Sequence, residues 1–121
     1  ALAGIVAARA WPGAPRPVAA DELLPERVLS GDAPARRALV DRAYRRLVEQ
    51  DVPLLDTVAA YLDLGRSIEG AARALFVHPN TVRYRLKRVC EITGWDPTDP
   101  REGFVLQVAI AAGRLAEGPA R

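Results

Sequence analysis

One cysteine and one histidine occur in the 121 residues. A lone thiol cannot close an internal disulfide, which suits a reducing compartment such as the cytoplasm. Cys90 and His78 are also too few for a structural zinc site, which takes four ligands; no metal is expected. His78 stands before Pro79 with no carboxylate near it in sequence, so the partners that would make it a catalytic base are missing. No catalytic residue is therefore assigned, no cofactor is expected, and an enzyme is not. Apolar runs are short: none approaches the ~20 residues of a membrane-spanning helix, so no membrane partner is expected either. Leu2–Ala10 is apolar but brief, carries Arg9 and lacks the basic leader of a secretory signal. The chain does not open on methionine, and we expect a piece of something longer.

What is present is ample apolar material. Half of the residues are hydrophobic, and the length fits one domain, or one domain with an appendage. Ala1–Ala10 reads as a helix fragment with Leu2, Ile5 and Val6 on one side, and Trp11–Pro17 as a proline-broken linker. Ala20–Ser30 resumes helical character through Leu23, Leu24, Val28 and Leu29, with Asp21 as cap, Gly31 as stop and Pro25 early enough to be tolerated. Asp32 or its neighbour opens a longer helix that turns Leu39, Val40, Ala43, Leu47 and Val48 inward and Arg36, Arg37, Arg45 and Arg46 outward. Pro53 begins LLDTVAAYLDL, whose apolar face is Leu54, Leu55, Val58, Tyr61 and Leu62 and which Gly65 ends. Past Gly94 comes a rigid WDPTDP loop in which Trp95 covers the core. The last helix, Arg101 to about Ala116, is apolar almost all round, so it is buried on more than one side, by its own domain or by a second subunit.

The stretch between, Ser67–Thr93, organises the rest. Ser67 suits an N-cap, and Ile68, Ala71, Ala72 and Leu75 fall on one helical face. Pro79 cannot sit inside a helix but suits a first turn. From there Val82, Leu86 and Val89 repeat at core spacing and leave Asn80, Arg83, Tyr84, Lys87 and part of Arg85 outward. Two helices joined by a tight turn, the second basic, make a helix-turn-helix whose second helix enters the major groove of DNA. Ala71 and Ala72 allow the steep close approach. At the turn, where glycine is common, stands Phe76; either the turn is looser than usual or Phe76 supplies core contacts. Charge agrees with the pattern. Residues 66–89 hold six basic side chains against Glu69, a net +5 in a chain of net +2, so the remainder carries −3. Such segregation is the footprint of a phosphate-binding surface.

Read with its flanks, the run LFVHPNTVRYRLKR, with DTVAAYLD before it and TGWDP after it, resembles the C-terminal DNA-binding domain of PucR/CdaR-type bacterial transcription regulators. The resemblance covers Leu54 to Leu115, and a looser one exists to Fis-type DNA-binding domains. It implies an all-α, Fis-like helix-turn-helix domain over residues 51–117, with additional N-terminal helices and a C-terminal apolar helix. Residues 1–50 would then be a helical and linker segment, the tail of an upstream regulatory region, so that the chain holds the reader and not the sensor. The family often has a basic residue after His78; Pro79 stands here, so one contact is absent.

The expected function is sequence-specific binding of double-stranded DNA by recognition helix 79–93. His78, Asn80, Thr81 and Tyr84 are placed for base edges, Asn being the side chain that matches adenine. Ser67, Arg83, Arg85, Lys87 and Arg88 are placed for phosphates. Helix capping is the competing role of Asn80 and Thr81, and a dipole-favourable surface charge that of Arg88. One helix reads few base pairs, so a homodimer on a two-fold site is expected, with the last helix and Ala1–Ala10 as candidate contacts, or else packed within one protomer. The alternative function is a helical protein-interaction module that uses the basic face and the apolar last helix.

Overall fold

Prolines and glycines set the helix boundaries. The structure, a computed structural model, describes residues 8–13 and 23–118; Leu2, Ile5, Val6 and the expected cap Asp21 lie outside them. Helix α1 (Leu24–Leu29) takes Pro25 in its first turn, where the missing N–H is one of the orphan donors. Gly31, at φ 92°, follows its end. Asp32 then caps α2: one carboxylate oxygen accepts from the Ala35 N–H at 3.1 Å, the other from Arg27 Nε at 2.8 Å. Those bonds, Arg27 first, hold the Asp32 carboxyl below the usual carboxylate range. Helix α2 runs over Ala33–Leu39, widens into a π-helical turn over Val40–Tyr44 and resumes over Arg45–Val48. Helices α3 (Leu54–Asp63), α4 (Ile68–Leu75), α5 (Pro79–Thr93) and α6 (Pro100–Glu117) complete the chain, with no strand among the described residues.

One core serves all of them. Leu24 of α1, Leu39, Ala43 and Leu47 of α2, Val58 of α3, Ala71 of α4, Val82 and Leu86 of α5 and Leu106 of α6 share a single buried cluster. The packing therefore has no gap near residue 50, and the N-terminal helices close over the same interior as the helix-turn-helix. Helix α6 is buried by its own protomer through Val105, Leu106, Ala109, Ile110 and Ala112, while Leu115 is 79% exposed. Its contact with α2 is tight: a Cβ on Gly113 would stand 2.0 Å from the Tyr44 ring. Trp95 covers the core as expected, with the Arg42 guanidinium 4.6 Å over its ring. Val48, expected inward, is 49% exposed, and Leu29 is also exposed. Val48 is the last residue of its helical segment, where only Leu47 is buried.

A buried ion pair ties α1 to α6. Glu26 is 2% exposed, and both of its oxygens accept from the Arg101 guanidinium. The same guanidinium lies 3.7 Å over the ring of Trp11 and 5.7 Å from that of Phe104. Two consequences follow for stability. Glu26→Ala removes the carboxylate from the Arg101 guanidinium and should cost about 3–5 kcal/mol, whereas Glu26→Ala with Arg101→Leu should recover part of that loss; urea titrations of the natural chain and both variants check it. Gly113→Ala drives a methyl into Tyr44 and should lower the urea midpoint by the equivalent of about 1–3 kcal/mol, even though alanine is the better helix former.

Candidate nucleic-acid interface

Helices α3, α4 and α5 form the three-helix unit that presents the basic face. Ser67 opens α4 as its N-cap, its Oγ accepting from the Gly70 N–H at 2.8 Å. Assigned to phosphate from the sequence, Ser67 thus has its oxygen engaged and its hydroxyl proton left to donate. Ala71 and Ala72 are buried where α4 meets α5. Beyond Leu75 the chain reverses through Phe76 at φ 57°, ψ 45°, a left-handed backbone. The Val77 N–H reaches the Ala72 carbonyl at 3.0 Å and the Phe76 N–H the Arg73 carbonyl at 3.4 Å. This is the helix end at which glycine is usual, and a side chain there costs about 1–2 kcal/mol. Neither expectation for Phe76 holds: the turn is fully left-handed, and the ring is 94% exposed while Val77 packs inward.

His78 caps α5. Its Nδ1 accepts from the Asn80 N–H at 3.0 Å, so the capping role considered for Asn80 and Thr81 falls to the residue before them. Neutral His78 then carries its proton on Nε2 and offers a donor there. Val82, Leu86, Val89 and Thr93 are buried, and at 3.6 residues per turn the opposite line is Asn80, Tyr84 and Lys87, with Glu91 at the far end. Tyr84 is 61% exposed. Arg83 flanks this line, donating to Asn80 Oδ1 at 2.7 Å and standing 4.0 Å from Glu69. Thr81 is half-buried on the other flank.

The remaining cations divide. Lys87 is exposed, whereas Arg88 is half-buried and 3.5 Å from the Glu91 carboxylate. Arg85 is half-buried and donates to Thr57 Oγ1 at 3.3 Å; that hydroxyl in turn donates to the Pro53 carbonyl at 2.8 Å. One Arg85 nitrogen therefore braces α3 against α5, and only the rest of its fork is left for a phosphate. Arg66, counted among the basic residues of the segment, donates instead to the Pro100 carbonyl at 3.1 Å. Arg73, counted in the basic segment but given no contact from the sequence, lines a cleft of about 530 Å³ with Glu69, Phe76, His78 and Pro79 at the start of α5. Beside α5, Arg83, Lys87 and Cys90 also border a groove of about 280 Å³ with Asp96 and Thr98. Burial, and then Asp96, push the Cys90 thiol up, so it stays a protonated, weakly polar side chain. From the end of α4 along α5 the exposed charge is positive at Arg73, Arg83 and Lys87; Glu91, paired with Arg88, and Asp96 in the loop beyond bring the first acids.

Among the described residues no group of His, Cys, Asp and Glu side chains could hold a metal ion, and no helix is long and apolar enough to cross a membrane. Comparison with known proteins is specific. Residues 54–112 match the PucR C-terminal helix-turn-helix domain. An uncharacterised protein of Mycobacterium tuberculosis is 56% identical over 95% of this chain, which spans 28% of that protein. The purine catabolism regulatory protein of Bacillus subtilis is 37% identical over 55% of the chain and 13% of its own length. A crystal structure of a regulator of polyketide synthase expression from Bifidobacterium adolescentis superposes with a TM-score of 0.88 at 50% identity, covering 96% of this chain and 46% of that one. The boundaries of that match enclose α3, the capped α4, the strained turn and α5: residues 54–112 of this chain are a PucR-type C-terminal helix-turn-helix domain.

Proposed function

We propose that this chain reads double-stranded DNA for a bacterial transcription regulator, with α5 in the major groove. One observation carries the reading: α5 is held by half of its circumference and bare on the other half, and the bare half bears Asn80, Tyr84 and Lys87 in line beside Arg83. His78, Asn80, Thr81 and Tyr84 contact bases. The Asn80 amide presents a donor and an acceptor together, the pattern that adenine matches, once Arg83 releases its Oδ1 to the duplex. Ser67, Arg83, Lys87 and the free sides of Arg85 and Arg88 contact phosphates and fix the register. The site of action is the bacterial cytoplasm, on the nucleoid when DNA is bound. A protein-docking face would not distinguish a selected duplex from random duplex in competition, whereas this reading requires that it does.

Two copies act together on a two-fold site, because one helix reads only a few base pairs and the half-sites stand about 34–36 Å apart. With most of α6 committed to its own core, Gln107, Ala111 and Leu115 form the stripe left on its outer side. That stripe is the contact we assign to the second copy, with Ala1–Ala10 as the other candidate. The chain spans 28% of its mycobacterial relative; on that ground we assign sensing to regulatory parts outside the chain, reached through the N-terminal residues 1–50.

Asn80→Ala should relax preference at one base position by about 1–3 kcal/mol. Lys87→Ala should weaken all duplexes alike and reduce the slope of log affinity against log salt by about one. Anisotropy titrations over a salt series separate the two, and unchanged curves for both variants would remove α5 from the interface. For the assembly, sedimentation of chain with selected duplex should give two chains per site, and Leu115→Arg should give one. A wild-type chain that stays single on its site counts against the pair.

A further inference from the structure

We propose that Phe76 is itself a sequence-reading contact, its ring packing against the C5 methyl of a thymine in the major groove. The inference rests on the reading of α5 given above and extends it to a residue outside that helix. Its starting point is a conflict. Phe76 holds a left-handed backbone at φ 57° that glycine adopts freely, yet the ring is 94% exposed and gains nothing from the core. Folding alone would favour glycine at this position, and exposure alone would favour a polar residue. Val77, the next residue, already supplies the inward contact of the turn. A strained, water-exposed aromatic side chain is kept for something the free chain does not contain.

Position and charge identify what that is. Phe76 shares its cleft with Arg73, His78 and Pro79, at the end of α5 from which base edges are reached. Glu69 also lines this cleft, and Arg83 stands 4.0 Å from its carboxylate and offsets its charge. A partner that meets cations and an apolar ring together, at the mouth of a recognition helix, is the edge of a duplex. The apolar group on that edge is the thymine methyl. Seating the ring against it removes apolar surface of both from water.

The test uses a duplex that the wild-type chain selects from a random pool, with each thymine replaced in turn by deoxyuridine, which pairs identically and lacks the methyl. The wild-type chain should lose roughly three- to fivefold in affinity at one thymine per half-site, the worth of one buried methyl group. Phe76→Gly should bind the unmodified duplex weaker by a similar factor and be indifferent to deoxyuridine there. Its melting temperature should rise, since glycine relieves the turn. Equal deoxyuridine sensitivity in both chains overturns the proposal, as does a Phe76→Gly loss identical on selected and random duplex, which would mean a sugar or phosphate contact. A melting temperature that falls, or self-association without DNA that depends on Phe76, overturns it equally. A wild-type chain that selects no duplex removes the reading of α5 and this contact together; one that selects a duplex but shows no coupling removes this contact alone.

Discussion

Ala71 and Ala72 set how closely α4 can approach α5, and the direction of α5 follows from that distance. With methyl groups at the crossing, Val82 and Leu86 seat against α3 and α4, and the helix is held along one side only. Larger side chains would lift α5 away and turn its bare face. The caps act on the same quantity. Ser67 starts α4, His78 starts α5, and Thr93 with Gly94 ends it, the Thr93 hydroxyl donating to the Val89 carbonyl at 2.8 Å. Each fixes a helix terminus and with it the height at which Asn80 and Tyr84 stand on the exposed face.

The N-terminal helices stiffen that arrangement from behind. Arg46 donates to the Ile92 carbonyl at 3.4 Å and so touches the end of α5 directly. Glu26 and Arg101 join α1 to α6 through a bidentate pair flanked by Trp11 and Phe104. A buried ion pair of this kind is weak evidence for net stability, because desolvation offsets much of the attraction. What it does supply is a single register: only one placement of α1 on α6 satisfies both carboxylate oxygens.

The helix-turn-helix was legible because its signals are local. Periodicity within α4 and α5, the Ser67 cap, the proline at the first turn and the Gly94 stop each act over a few residues. The misses share the opposite character. Glu26 reads as an ordinary surface acid, since its partner lies 75 residues away. Tyr44 is buried through a glycine on another helix, which no spacing within α2 reveals. Arg85 looks like its basic neighbours until the position of Thr57 is known. His78 as a cap depends on a ring rotamer, and the exposure of Phe76 on a backbone angle that the residue itself disfavours. Val48 continues the spacing of buried Val40 and Tyr44 but stands at the end of its helix, where the spacing alone does not say that the cover stops.

The π-helical turn of α2 has a consequence for how the chain can vary in length. Leu39, Ala43 and Leu47 are all buried and recur at every fourth residue. In a 3.6-residue helix such a repeat drifts by about 40° at each step; the π turn of Val40–Tyr44 absorbs the drift and keeps the three leucine and alanine side chains on one line. The extra residue is therefore held in the π turn. With one residue fewer in Val40–Tyr44, Leu39 and Leu47 would stand seven apart in a regular helix, about 20° from a common line, and both would still face the core. Homologous chains should accept a single deletion there far more readily than one in the regular turns of α2 on either side.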